Sequence, residues 1–237
     1  MTEPATEPTT APMLPITRAD EELFSTVTVA VRLGRADAIV ERLAARYEEE
    51  WDNPLAGFPY ALSMIAAFQS TDPELRERLN YPEVVETLND LLYNQPDHWL
   101  GRYLRIHART LLPVNPREYR AFIAAEREKA TEDAEQLIER QSRTAWQPYF
   151  ACSYLAAARL AWETTKDPDK VAELVKQATA RPGAPVPFPS LGSILCEVFL
   201  WYRNEAGLPD QDAVAETMGA LFPDQPAVRL ARGVRSP

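Results

Sequence analysis

Two columns of residues recur five times along this 237-residue chain. In the first, a large apolar residue, a small residue and an apolar residue three further on open a predicted helix. The five are Tyr60-Ala61…Met64, Leu100-Gly101…Leu104, Phe150-Ala151…Tyr154, Leu191-Gly192…Leu195 and Leu230-Ala231…Val234. Their leading residues lie 40, 50, 41 and 39 positions apart. Periods of this size belong to stacked helical pairs, in which each pair buries its apolar face only against its neighbours.

The second column is Glu41, Glu86, Glu135, Glu173 and Glu216, each two residues before an apolar residue: Leu43, Leu88, Leu137, Val175 and Met218. Four of the five also have an apolar residue two before, at Ile39, Val84, Val171 and Val214; Asp133 is the exception. Each Glu precedes its apolar-small signature by 14 to 19 residues. The unit is therefore a second helix, a short turn, and the first helix of the next pair.

The rest of the chain fits an all-α fold. Eight glycines against 21 prolines, with long Ala/Leu/Glu/Arg stretches, favour helix over sheet, and no alternating strand pattern occurs. Residues 1–17, rich in Thr, Pro, Glu and Ala, are expected to be a disordered or loosely attached tail, with residues 18–237 a single helical domain. Asp20 is a candidate cap for a first helix ending at Gly34. Residues 117–143 read as one long polar helix, or two broken near Thr131. Residues 146–164 and 190–204 are apolar around most of their circumference, which predicts central, buried helices. Prolines 182, 185, 187 and 189 make an extended loop between helical stretches.

At Leu100-Gly101-x-x-Leu104, preceded by Asn94-Gln95-Pro96, the chain resembles tetratricopeptide repeats. Phe150-Ala151-x-x-Tyr154 and Leu191-Gly192-x-x-Leu195 are close variants, with prolines 96, 148, 187 and 226 in the entering turns. The resemblance covers residues 36–235 and implies antiparallel helical pairs stacked as a short right-handed solenoid. The family repeat is about 34 residues, shorter than the spacings here, so the repeats are degenerate.

No catalytic signature is present. The two histidines, His98 and His107, lie nine residues apart on one predicted helix, about two and a half turns, and face opposite ways. Metal-ligand pairs, a phosphate-binding glycine loop and a nucleophile elbow are all missing from the sequence, so no metal and no cofactor is expected. A net charge of −10 disfavours nucleic acid and anionic membrane as partners. No apolar run is long enough for a transmembrane helix. Cys152 and Cys196, in apolar helical stretches, read as reduced thiols of a cytoplasmic protein, with a disulfide the alternative.

One local departure from the acidic balance is the stripe Arg102, Arg105 and Arg109, with His98 a turn earlier. If Leu100 and Gly101 hold the family positions, His98, Arg102 and Arg105 face the concave side, where family members bind peptides. The first unit would add Phe58, Leu62 and Ile65, and the third Cys152 and Leu155, as an apolar floor. Such stripes also pair with neighbouring carboxylates, here those of residues 117–143. The expected function is a non-catalytic interaction protein (an adaptor, chaperone-like or regulatory component) docking a protein or peptide segment in a concave groove. The alternative is a small all-helical enzyme or accessory protein enclosing an apolar ligand among Trp146, Trp162, Phe199, Trp201 and Tyr202. These helices would equally serve as ordinary core or as a homodimer interface.

Overall fold

The computed structural model describes residues 12–50, 52–53, 55–68, 79–110, 120–181 and 183–231. Among them are twelve helices: α1 (Arg18–Arg32), α2 (Ala36–Glu49), α3 (Gly57–Ala67), α4 (Tyr81–Asn94), α5 (Trp99–Thr110), α6 (Arg120–Ser142), α7 (Phe150–Thr164), α8 (Pro168–Thr179), α9 (Gly192–Leu195), α10 (Glu197–Asn204), α11 (Gln211–Leu221) and α12 (Pro226–Ala231). No strand occurs among the described residues. A single isolated parallel bridge joins Leu14 to His98. No described helix is long and apolar enough to cross a membrane.

Consecutive helices pack on one another from α1 to α8 and from α9 to α12, and contacts skip one helix at α1–α3 and α3–α5. Further along, contacts skip two helices, α7 against α10 and α8 against α11. The signature column explains the packing. Tyr60, Ala61, Met64, Leu100, Leu104, Phe150, Ala151, Tyr154, Leu191 and Leu195 are all buried. A Cβ on Gly101 would stand 2.6 Å from Leu91 Cδ2 of α4, and one on Gly192 would stand 2.6 Å from the Gln225 side chain. The small residue is thus where a neighbouring element comes closest. The fifth signature, at Leu230, runs beyond the described residues.

The glutamate column behaves as one exposed face. Glu41, Glu86, Glu135, Glu173 and Glu216 are exposed. Two residues on, Leu43, Leu88, Leu137, Val175 and Met218 are buried. The slot two residues before is buried at Val84, Val171 and Val214, half-buried at Ile39, and in α6 it holds the carboxylate of Asp133, 3% exposed.

Local chemistry sets the helix ends. Thr17 is the N-cap of α1: its Oγ1 accepts the Asp20 N–H, and its own N–H donates to the Asp20 carboxylate at 2.7 Å. Asp20 is therefore the third helical residue of a capping box, not the cap itself. Gly34, at φ +65°, ends α1 as its sequence position implied. Asp167 caps α8 by accepting the N–H groups of Asp169 and Lys170 at 3.0 Å. Helix α6 runs unbroken because the Thr131 hydroxyl donates within the helix, to the Arg127 carbonyl at 2.9 Å, and leaves no cap. The predicted helix over 190–204 is instead two short helices meeting at Cys196. The predicted short turn at Asp72-Pro73 lies outside the described residues.

Residues 12–17 correct the expectation of a loose tail. Met13 and Ile16 are buried at 3% and 5% exposure. The Leu14 N–H donates to the Asp97 carbonyl at 2.7 Å, and the Trp99 N–H donates back to Leu14 at 3.4 Å. The Met13 N–H reaches Thr144 Oγ1 and the Ile16 N–H reaches the Tyr149 hydroxyl. Composition missed this because two apolar side chains suffice to dock the segment when the N–H groups of residues 13, 14, 16 and 17 all have acceptors.

Candidate functional site

The five residues expected to line a groove are His98, Arg102, Arg105, Phe58 and Leu62, and none lines an open concave surface. Leu62 is fully buried and Phe58 is 7% exposed. The other floor positions, Ile65, Cys152 and Leu155, are buried as well. His98 stands at the start of α5, where its ring Nδ1 accepts the Gly101 N–H at 3.0 Å and its face meets Phe58 at 4.5 Å between centroids. Burial pushes its pKa below the ordinary histidine value. His98 thus caps a helix, and Phe58 packs under it.

Arg102 and Arg105 converge on one carboxylate. Arg105 grips Asp133 with both arms of its guanidinium, Nε donating to Oδ2 at 2.9 Å and Nη2 to Oδ1. Arg102 Nη1 donates to Oδ1 at 3.1 Å, and Arg109 Nη1 to Oδ2 at 2.6 Å. Around this hub Arg102 also reaches Gln136 and the Pro96 carbonyl, and Arg105 reaches Asn89. Arg109 pairs with Glu126 at 3.3 Å. The Arg102 pKa falls to about 10, chiefly by burial, and Asp133 opposes that fall. The group stays charged at neutral pH.

The reason is geometric. Arg102, Arg105 and Arg109 share one face of α5, and α6 lies against that face. In α6 the slot that is apolar in the other units carries Asp133, so the stripe meets a buried carboxylate rather than solvent. The cluster fastens α4, α5, α6 and the turn at Pro96 into one block. The sequence contained the signal: an Asp in an apolar column marks an interior charge that needs partners.

The N-terminal segment occupies a neighbouring position. Residues 13–16 run past the starts of α5 and α7, bonded to Asp97, Trp99, Thr144 and Tyr149. At the start of α1 the Glu21 carboxylate accepts the Ser190 and Leu191 N–H groups, at 2.6 and 3.0 Å, just before α9. From there α1 extends to α2 and α3. The segment and α1 together therefore reach α3, the start of α5 and the residues that lead into α7 and α9.

Two buried groups invite a chemical reading. His107 faces Glu197 at 3.5 Å, and burial together with the Arg159 cation lowers its pKa to about 3, leaving a neutral imidazole. Cys152 and Cys196 are buried free thiols, both pushed upward by burial, Cys196 to about 12. A thiol held that high is a poor nucleophile. The aromatic-rich helices fill their own interior: Trp146 packs on Phe150 and Tyr154, Phe199 on Phe222, and Trp201 on Tyr202. Among the described residues no group of three or more His, Cys, Asp or Glu is placed to hold a metal ion. Comparison of the chain with protein-family models, with curated proteins and with solved structures finds no match.

Proposed function

We propose that this chain is a non-catalytic, tetratricopeptide-like helical-repeat protein that mediates protein–protein interaction by docking an extended peptide. The docking face in this reading is the one formed by the starts of α5 and α7, not the arginine stripe. One observation carries it: the chain's own residues 12–17 lie there in extended form, with backbone bonds to Asp97 and Trp99 and buried side chains at Met13 and Ile16. A surface that holds one such segment has the carbonyls, donors and apolar hollows to hold another of the same kind. Backbone pairing supplies affinity and the two hollows supply selectivity. The partner class is an apolar, proline-tolerant extended segment of the type Met-x-x-Ile.

The test uses the segment as its own probe. A chain lacking residues 1–16 and shown to be helical by circular dichroism is titrated with a labelled peptide of residues 12–17. Binding is expected with a Kd of about 0.1 mM, the affinity left once the tether's local concentration is gone. A peptide with Ser for Met13 and Ile16 should not bind, and neither should the intact chain bind the original peptide. Failure of the shortened, folded chain to bind the peptide removes the docking face.

A further inference from the structure

A second kind of site lies at the far end of α6. A cavity of about 270 Å³ opens between the C-terminal turn of α6, helix α7 and the end of α8. Gln141, Thr144, Trp146, Tyr154, Ala180 and Arg181 are among its walls. Tyr154 is 8% exposed, and its hydroxyl, which reaches solvent, has no hydrogen-bond partner among the described residues. Arg181, an exposed residue, lays its guanidinium over the Trp146 ring at 5.7 Å and has no ion pair among the described residues. Tyr154 backs the same indole, with ring centroids 6.3 Å apart.

Two more donors stand in these walls without acceptors, the Gln141 amide nitrogen and the Trp146 indole nitrogen. The Gln141 orientation is fixed. Its Oε1 accepts from Trp99 Nε1 at 3.2 Å and from Ser153 Oγ at 2.8 Å, and the indole is donor only, so the amide NH₂ is the free end. Buried donors without acceptors are uncommon, and here two of them stand beside an exposed guanidinium around one cavity, which marks a place for an acceptor.

We propose that this cavity binds a small organic monocarboxylate. The carboxylate pairs with Arg181 and accepts from the Tyr154 hydroxyl, while the apolar part of the ligand rests against Tyr154 and Ala180. A guanidinium held on an aromatic face is pre-oriented, so little side-chain freedom is lost when it engages an anion. The chain is acidic overall, at −10, and this unpaired cation supplies a local attraction for an anion. The site is independent of the peptide-docking face, although Thr144, which accepts the Met13 N–H, stands in its wall.

The test follows the Trp146 indole N–H by NMR in the full chain, its resonance identified with Trp146→Phe. The probe is 3-phenylpropanoate, compared with the neutral 3-phenylpropanamide. Saturable shifts with a Kd below about 1 mM are expected for the acid, and at least about tenfold weaker binding for the amide. Arg181→Gln should weaken the acid about tenfold and Tyr154→Phe about fivefold, with the amide indifferent to Arg181→Gln. Both variants keep the ring contact of residue 154 with Trp146, and their melting is measured alongside. No shift up to about 10 mM acid overturns the proposal. Equal affinity for acid and amide, or saturable binding unmoved by both substitutions, overturns it as well.

Discussion

Among the described residues Asp133 pairs with more cations than any other carboxylate. Three guanidinium groups end on its two oxygens, at positions 4% to 13% exposed. Removing that carboxylate strands three cations in a dry interior. Asp133→Asn should therefore destabilise the fold by about 3–5 kcal/mol in a denaturant titration. The reversal Arg102→Glu with Arg105→Glu should do at least as much harm. Replacing the whole cluster by apolar residues of similar volume, Asp133→Leu with Arg102, Arg105 and Arg109→Met, should recover most of the loss, because desolvation of the charges offsets much of their attraction. A double reversal that melts like the unmodified chain would return the stripe to the surface.

His107 gives the pH dependence at the same scale. Its folded-state pKa lies near 3, below the ordinary 6.5, so the unfolded chain takes up a proton that the folded chain refuses. Stability then falls as pH drops below about 6.5, by up to about 1.4 kcal/mol per unit. Glu197, raised by burial, acts with the opposite sign and above the ordinary carboxylate range, where its contribution is lost as pH rises. His107→Gln should lie below the unmodified chain at pH 7 and approach it steadily toward pH 5. Parallel stability curves would show that His107 does not titrate this way.

At the scale of the element, the repeat columns were legible because each imposes a periodic demand: one small residue where a neighbour comes close, one charged residue on a solvent face. Leu100 and Phe150, each 1% exposed, are therefore intolerant sites. Leu100→Asp or Phe150→Asp buries an unpaired carboxylate at a cost comparable to the whole stability of about 5–15 kcal/mol, and each is expected to yield an unfolded chain by circular dichroism. Gly101→Val tests the close approach itself: Leu91 and the His98 ring stand 2.6 and 3.1 Å from the first added carbon, so the melting midpoint should fall. What periodicity could not reveal was which helix each face would meet. The arginine stripe reads alike against solvent or against α6, and only the register of α5 on α6, which brings Arg102, Arg105 and Arg109 within reach of Asp133, decides between them.

For the whole molecule, the stacked pairs leave one face that the chain closes with its own beginning. Nothing in the Thr/Pro/Glu-rich opening suggested it, since Met13 and Ile16 are too few to set a period. Their docking depends on carbonyls and hydroxyls contributed from far along the chain, at Asp97, Thr144 and Tyr149. The same remoteness hid Glu21, which reaches Ser190 and Leu191 across 169 and 170 residues. A chain lacking residues 1–16 should consequently lose about 3 kcal/mol and melt several degrees lower.

The most direct measurement needs no variant. Residues 13, 14, 16 and 17 each donate their N–H, to Thr144, Asp97, Tyr149 and Asp20 respectively, and Pro15 has none to give. Hydrogen exchange resolved at these amides in the intact chain should find all four slowed by about a hundredfold or more relative to a free peptide. Exchange at free-peptide rates from Met13 to Ile16, with α5 and α7 protected, would contradict a docked segment and with it the face proposed to bind partners.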